Sequence, residues 1–377
     1  MACLAKISIL TLAVSVLGSP LTETSNLQAR QACVGTINSL ASVAAAVKCK
    51  TINIQGFTVP AKQKLVINAI TGATINMQGN IVFAADTSFK TEGPIFTITG
   101  TDVKFNGNNF VIDGQGAKYW DGLGIASNAK QQKPHPMIKL GISGTFQRVK
   151  VLNSPAQVFS MGNKASIVVS NVNIDNSAGN APNSISGGKP AAHNTDGFDV
   201  STNDVTIQDS TIVNQDDCIA INSGNNINFL RNKCTGGHGI SVGSISAGKS
   251  VSNVHITGNT IVNNDQALRI KTFATATGGT VSNVIYTDNH ATGCAKYGVI
   301  IDQSYPATLG TPGAGIKIQK VDFVGTNTVA VAPKARAMVE VNCASGGCLG
   351  QWNWAGLKVS GGPKGTHTYS GIINFTQ

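Results

Sequence analysis

Apolar positions in the middle of the chain repeat every 21 residues. Phe198, Ile219 and Ile240 form one column and Val200, Ile221 and Val242 a second, with Asp199, Ala220 and Ser241 between them. Each segment alternates as a half-buried strand does. A repeat of roughly 20–30 residues with one strand per turn and no heptad predicts a parallel β-solenoid. Asp196, Asp217 and His238 stand two residues ahead of the first column. Neighbouring strands in such a stack lie ~4.8 Å apart, so the period gathers two carboxylates and an imidazole into a row, which Asp216 joins. Strict alternation would aim these groups at the core, where desolvation is costly. The expectation is therefore that they sit on a bend ahead of each strand.

The same patterning extends outward. Val34, Ile37, Leu40, Val43 and Val47 recur at helical spacing in an Ala-rich stretch, predicting one amphipathic helix over 34–47 that caps the solenoid. Short β-rich pieces follow at Thr51–Ile54, Lys64–Ile67, Ile81–Phe83, Ile95–Thr99 and Val103–Phe105. Segments such as Val205-Thr-Ile-Gln-Asp-Ser, Ile227-Asn-Phe-Leu-Arg-Asn and Val254-His-Ile-Thr-Gly-Asn end near Asn or Ser, as if one turn chemistry closes each coil. Gly114 to Pro136 breaks the rhythm and reads as a loop; its Trp120 is expected to pack on the coil wall. With no Pro/Gly/Ser-rich linker, residues 31–377 read as one domain, all-β and β-helical with a short N-terminal capping helix.

Composition narrows the setting. Residues 1–18 carry an apolar run, Ile7 to Leu17, followed by small residues, a secretory signal pattern too short for a membrane span. Residues 19–30 read as a pro-segment ending at Arg30. Of eight cysteines, Cys3 leaves with the signal. In an oxidising compartment proximity suggests Cys33–Cys49, Cys218–Cys234 and Cys343–Cys348, with Cys294 left as a small buried hydrophobe. The spacings match no zinc pattern, and neither a metal nor a cofactor is expected. The formal charge is +10, and removing Lys6, Arg30 and Glu23 with the leader leaves +9. Such an excess attracts polyanions. Export and the lack of a nucleic-acid motif point to an acidic polysaccharide rather than nucleic acid, met by a monomer outside the cell. Asn374-Phe-Thr is a glycosylation sequon.

Four segments now fall in order: Asn194-Thr-Asp196-Gly, Gln215-Asp216-Asp217-Cys218, Gly237-His238-Gly239-Ile240-Ser241 and Arg269-Ile270-Lys271. With them the chain resembles the fungal polygalacturonases of glycoside hydrolase family 28 from about Cys33 to its end. The resemblance implies a right-handed parallel β-helix and hydrolysis of α-1,4-galacturonosyl bonds in pectate with inversion; no large insertion interrupts the motifs, which points to endo action. The resemblance makes Asp216 the general acid, Asp196 and Asp217 the pair that activates water, and His238 the residue that tunes or holds the acid. Arg269 and Lys271 would bind a substrate carboxylate, and Tyr305 would contact the sugar. Asn194 and Asp199 are further substrate-binding candidates. The chain departs from the fungal pattern in having no cysteine pair after Cys348.

The residues support the same allocation. Inversion needs a protonated acid and a base holding water, and three crowded carboxylates force one pKa upward. The raised group is expected to be the acid, Asp216. Arg269 and Lys271 alternate with Leu268 and Ile270, so both cations are expected on the outer face, and Arg suits a carboxylate. The rivals are a calcium-dependent pectate lyase using the aspartates as a hard-cation site, an exo-acting or rhamnogalacturonan hydrolase, and a non-catalytic glycan-binding protein.

Overall fold

The computed structural model describes residues 33–88 and 93–377. The expected leader and pro-segment lie outside these residues. The fold is a parallel β-helix closed at its start by a short helix. Thirty of its strands fall into two large parallel sheets, one of 19 and one of 11 strands, which wrap a continuous apolar core. Long strands bend from one face of the helix to the next. Ile219–Leu230 pairs through Ile219 with Phe198 and through Ile227 with Val205. Ile95–Thr99 and Val103–Phe105, read as separate pieces, are two arms of one such strand, Phe96–Asn106.

Register follows the repeat. Phe198 pairs with Ile219, Ile219 with Ile240, and Ile240 with Leu268, each fully buried. A one-residue slip would turn every core residue outward, so burial of one face pins the alignment. Aromatic rings reinforce it: Phe159 and Phe198 stack at 5.1 Å, and Phe105 and Phe146 at 4.6 Å. The coil-closing residues form a buried ladder in which Asn232, Asn259 and Asn289 each donate through Nδ2 to the next, ending on Asn327. Each also donates to a backbone carbonyl of the preceding coil, Asn259 to that of Phe229. The left-handed residue is the one before the ladder position, Arg231, Gly258 and Asp288 in turn.

The predicted helix over 34–47 needs correction. Val34–Ile37 is a strand paired with Thr51–Ile54, and the helix spans only Leu40–Ala46. Val-Gly-Thr-Ile is a poor helix former, it alternates exposed and buried, and Ser39 supplies the N-cap. Cys33–Cys49 ties this cap, and Cys218–Cys234 and Cys343–Cys348 are also bonded. Cys294 is free and buried. After Cys348 the last coils are sealed by an aromatic cluster in which Trp354 meets Phe323 and Phe375, and Trp352 meets Tyr369. Trp120 is buried against Ala191 and Ala192 and donates to the Ser154 carbonyl, so it packs on the wall. Among the described residues no helix is long and apolar enough to cross a membrane.

Candidate active site

Asp196, Asp217 and His238 each lie two residues before an in-register strand, on the bend that strict alternation required. Backbone bonds fix the bend: Gly197 N–H donates to the Asp217 carbonyl at 2.9 Å and His238 N–H to that of Asp216 at 2.7 Å. Asn214, which the sequence reading missed, clamps it by donating to the carbonyls of Thr195, Asp216 and Asp217. Its place just ahead of the acidic pair was the available signal. The glycines beside His238 are steric necessities. A Cβ on Gly237 would stand 2.1 Å from the Asp216 carbonyl oxygen, and Gly239 has φ +82°.

The Asp216 carboxylate is held on three sides. Its Oδ1 accepts from the Asp217 N–H at 2.8 Å and faces His238 Nδ1 at 2.9 Å, and Oδ2 accepts from Asn194 Nδ2 at 3.2 Å. Asn194 has φ 53° and accepts from the Ile125 N–H, so the irregular loop braces the site. Asp217 accepts from Ser241 Oγ and from Lys271 Nζ, each at 2.6 Å. Lys271 projects into the same cleft as Arg269, with Leu268 and Ile270 turned into the core as expected. It is nevertheless buried there, ion-paired with Asp217 and 5.5 Å from the Tyr305 ring centre, rather than free for a ligand carboxylate. Arg269 lines the cleft with its Nε buried and unpartnered. Asp302 holds the Tyr305 segment by accepting from the N–H groups of Ser304 and Leu309.

All nine predicted catalytic and substrate-binding residues, Asn194 to Tyr305, line one cavity of about 330 Å3. Gln157, His193 and Asn222 line it too and were missed. Gln157 continues the Asp196 column one coil earlier, but that coil is 39 residues long, Phe159 pairing with Phe198, so the 21-residue period does not reach it; His193 lies off the repeat. The face continues past Lys139 and Lys164 on one side and past Lys296 and Arg336 on the other. A larger hollow of about 670 Å3, lined by Ser282, Leu349 and Ile373 among others, contains none of the predicted site residues.

Crowding divides the carboxyls. Burial, then the charges of Asp216, Asp199 and Asp217, push Asp196 well above the usual carboxylate range. Burial with Asp217 and Asp216 pushes Asp199 up to about 7. Burial alone would raise Asp216 too, but the adjoining His238 and then Lys271 carry it below its usual value. The expectation that the raised carboxyl would be Asp216 is thus corrected, because an imidazole lies against that one. Burial alone would depress His238, yet Asp216, then Asp217 and Asp265, raise it above its ordinary 6.5.

These shifts fix the sign of the pH dependence of stability. Asp196 and Asp199 bind their protons more tightly folded than unfolded, so stability falls as pH rises above about 4, for Asp199 until about 7. The contribution of His238 is complete below 6.5 and is lost as pH climbs through its raised value. That of Asp216 is present above 3.8 and is lost as pH falls through its depressed value. Thermal melting from pH 3 to 8 should peak near pH 4–5 and decline through neutrality, with Asp199→Asn flattening the decline; a melting temperature that rises from pH 4 to 8 would contradict this. Separately, Lys271→Met strands the buried Asp217 charge and should cost about 3–5 kcal/mol in urea unfolding at pH 7. A loss under 1 kcal/mol would show that the pair is not needed.

Comparison with known proteins places this geometry. Residues 49–376 match the family described as Glycosyl hydrolases family 28. The chain is 36% identical over 352 residues to a polygalacturonase of Cochliobolus carbonum, covering 90% of this chain and 91% of that one. It is 36% identical over 326 residues to endopolygalacturonase I of Aspergillus aculeatus, covering 83% and 80%. Among solved structures, endopolygalacturonase I of Stereum purpureum, complexed with two galacturonates, superposes with a TM-score of 0.83 and 47% identity, over 89% of this chain and 97% of that one. On these likenesses and the matched span, the chain belongs to glycosyl hydrolase family 28.

Proposed function

We propose that the chain is a secreted, endo-acting polygalacturonase that hydrolyses α-1,4-galacturonosyl bonds in pectate with inversion. The observation that carries the reading is the pairing inside the cleft: Asp216 with His238, Asp217 with Lys271, and Arg269 with a free buried donor. The relatives named as endopolygalacturonases, and the galacturonates bound to the Stereum protein, support the substrate class. Cations flanking the cleft on both sides suit a polyuronate that runs through it, which favours endo action. Three disulfides among the described residues agree with an extracellular setting.

In this reading the acid is the Asp216–His238 pair. The imidazolium stores the proton and passes it along the 2.9 Å contact to Asp216, which protonates the leaving oxygen. Asp196 and Asp217, one coil apart, hold the attacking water between them. Its raised affinity for protons makes Asp196 a good base toward that water once ionised. Arg269 takes the substrate carboxylate through its fork, and Tyr305 borders the sugar.

The nearest ligand atoms of Asp216 and Asp217 lie within 4.8 Å, closer than the ~6.5–9.5 Å of two-carboxylate inverting sites. Both oxygens of Asp217 are, however, engaged by Ser241 and Lys271, which favours water over Asp217 as nucleophile. The same bonds weigh against a calcium lyase, since a hard cation would compete with Lys271, His238 and Asn194 for these oxygens.

The test is de-esterified polygalacturonate with and without EDTA, following reducing ends, viscosity and ultraviolet absorbance together. Reducing ends without ultraviolet signal, unaffected by EDTA, and a viscosity drop far ahead of end release are expected. An EDTA-sensitive absorbing product would make it a lyase. Asp216→Asn should lower kcat by about 10²–10⁴-fold with binding kept; a variant retaining most of its rate would remove Asp216 from this role.

A further inference from the structure

We propose that Asp265, clamped by Lys296, is a positioning residue that holds the His238 imidazolium from the side opposite Asp216 and so sets the alkaline limit of catalysis. The inference rests on the reading above that His238 stores the acid's proton. Its basis is geometric. His238 is bracketed by two carboxylates from the coils on either side: Nδ1 lies 2.9 Å from Asp216 Oδ1, and Nε2 lies 3.6 Å from Asp265 Oδ2. The bracket is built into the ladder, because Asp265 N–H donates to the Gly237 carbonyl at 2.8 Å, one residue before the histidine.

At 3.6 Å the Asp265 contact is longer than a formed hydrogen bond. It acts on the ring through charge, or through a bridging water. Lys296 Nζ stands 2.6 Å from the same Oδ2, so the oxygen facing the imidazole is shared with a cation that partly cancels it. The pair is thus a graded electrostatic setting: the carboxylate stabilises the imidazolium and the ammonium limits by how much. The other titratable groups around the ring are Asp216 and Asp217 on the preceding coil, the His193 ring at 6.5 Å, Arg269 on the following coil, and Arg336 and Lys189, which line the hollows beside it. Of these carboxylates, only Asp265 approaches Nε2, and only it is tied to a lysine of the next coil.

The partly exposed site allows a shift of about one pH unit for one charge at this distance. The experiment is an NMR titration of the His238 imidazole in the substrate-free protein, comparing the parent chain with Asp265→Asn and Lys296→Met. It needs no substrate, so its outcome is independent of which polymer is cleaved. Asp265→Asn should lower the His238 midpoint by about one pH unit, and Lys296→Met should raise it. The alkaline limb of kcat/KM should move in the same direction in each variant. A residue that only shaped the fold would lower activity without sending the midpoint in opposite directions. A midpoint that stays in place in either variant, or moves the same way in both, overturns the proposal; melting curves confirm that each variant is folded.

Discussion

Everything chemical in this protein depends on the parallel registration of successive coils. Burial of Phe198, Ile219, Ile240 and Leu268 in one column fixes each strand against the next, and the asparagine ladder closes each turn by donating to both its neighbour and the backbone. Groups 21 residues apart in sequence thereby become neighbours one rung apart. A site assembled in this way inherits the rigidity of the ladder, because moving Asp217 relative to Asp196 would break backbone bonds on both sides of it. Glycine at 237 and 239 is the local cost of that closeness, since any side chain there would meet a backbone carbonyl of the adjoining coil.

Packing four carboxylates into one cleft would oppose folding if all were ionised and unpaired. The structure meets this in three ways. Asp216 faces an imidazole, Asp217 faces a buried ammonium, and Asp196 and Asp199 retain protons far above the usual range. The arrangement that makes the cleft tolerable also divides labour within it. One carboxyl has a proton donor at its side, one is fixed by a cation, and one is made basic by its neighbours. Within the cleft, Arg269 keeps a buried donor free, which suits a ligand carboxylate better than any internal partner.

The architecture and most of the site were legible because the repeat is a two-dimensional pattern. Once the period is known, columns predict both burial and adjacency, and Asp196, Asp217 and His238 fell where the columns put them. What escaped was whatever lies off the columns or depends on reach. Lys271 alternates correctly with Ile270, yet its long side chain goes to Asp217, and periodicity says nothing about where four methylenes lead. Which carboxyl keeps its proton turned on the imidazole beside Asp216, a contact of side chains rather than of positions. The N-terminal helix was overextended because Val34 and Ile37 satisfy a helical spacing and a strand alternation equally well, and local propensity decided for the strand.

The central claim is that a water held by Asp196 and Asp217, and no protein carboxylate, attacks the sugar. It is tested most directly by proton NMR of the first products released from an α-linked oligogalacturonide, before mutarotation. A single displacement predicts that the new reducing ends appear first as the β anomer. Reducing ends that appear first as the α anomer would mean a covalent intermediate, with one of the cleft carboxylates as nucleophile in place of water.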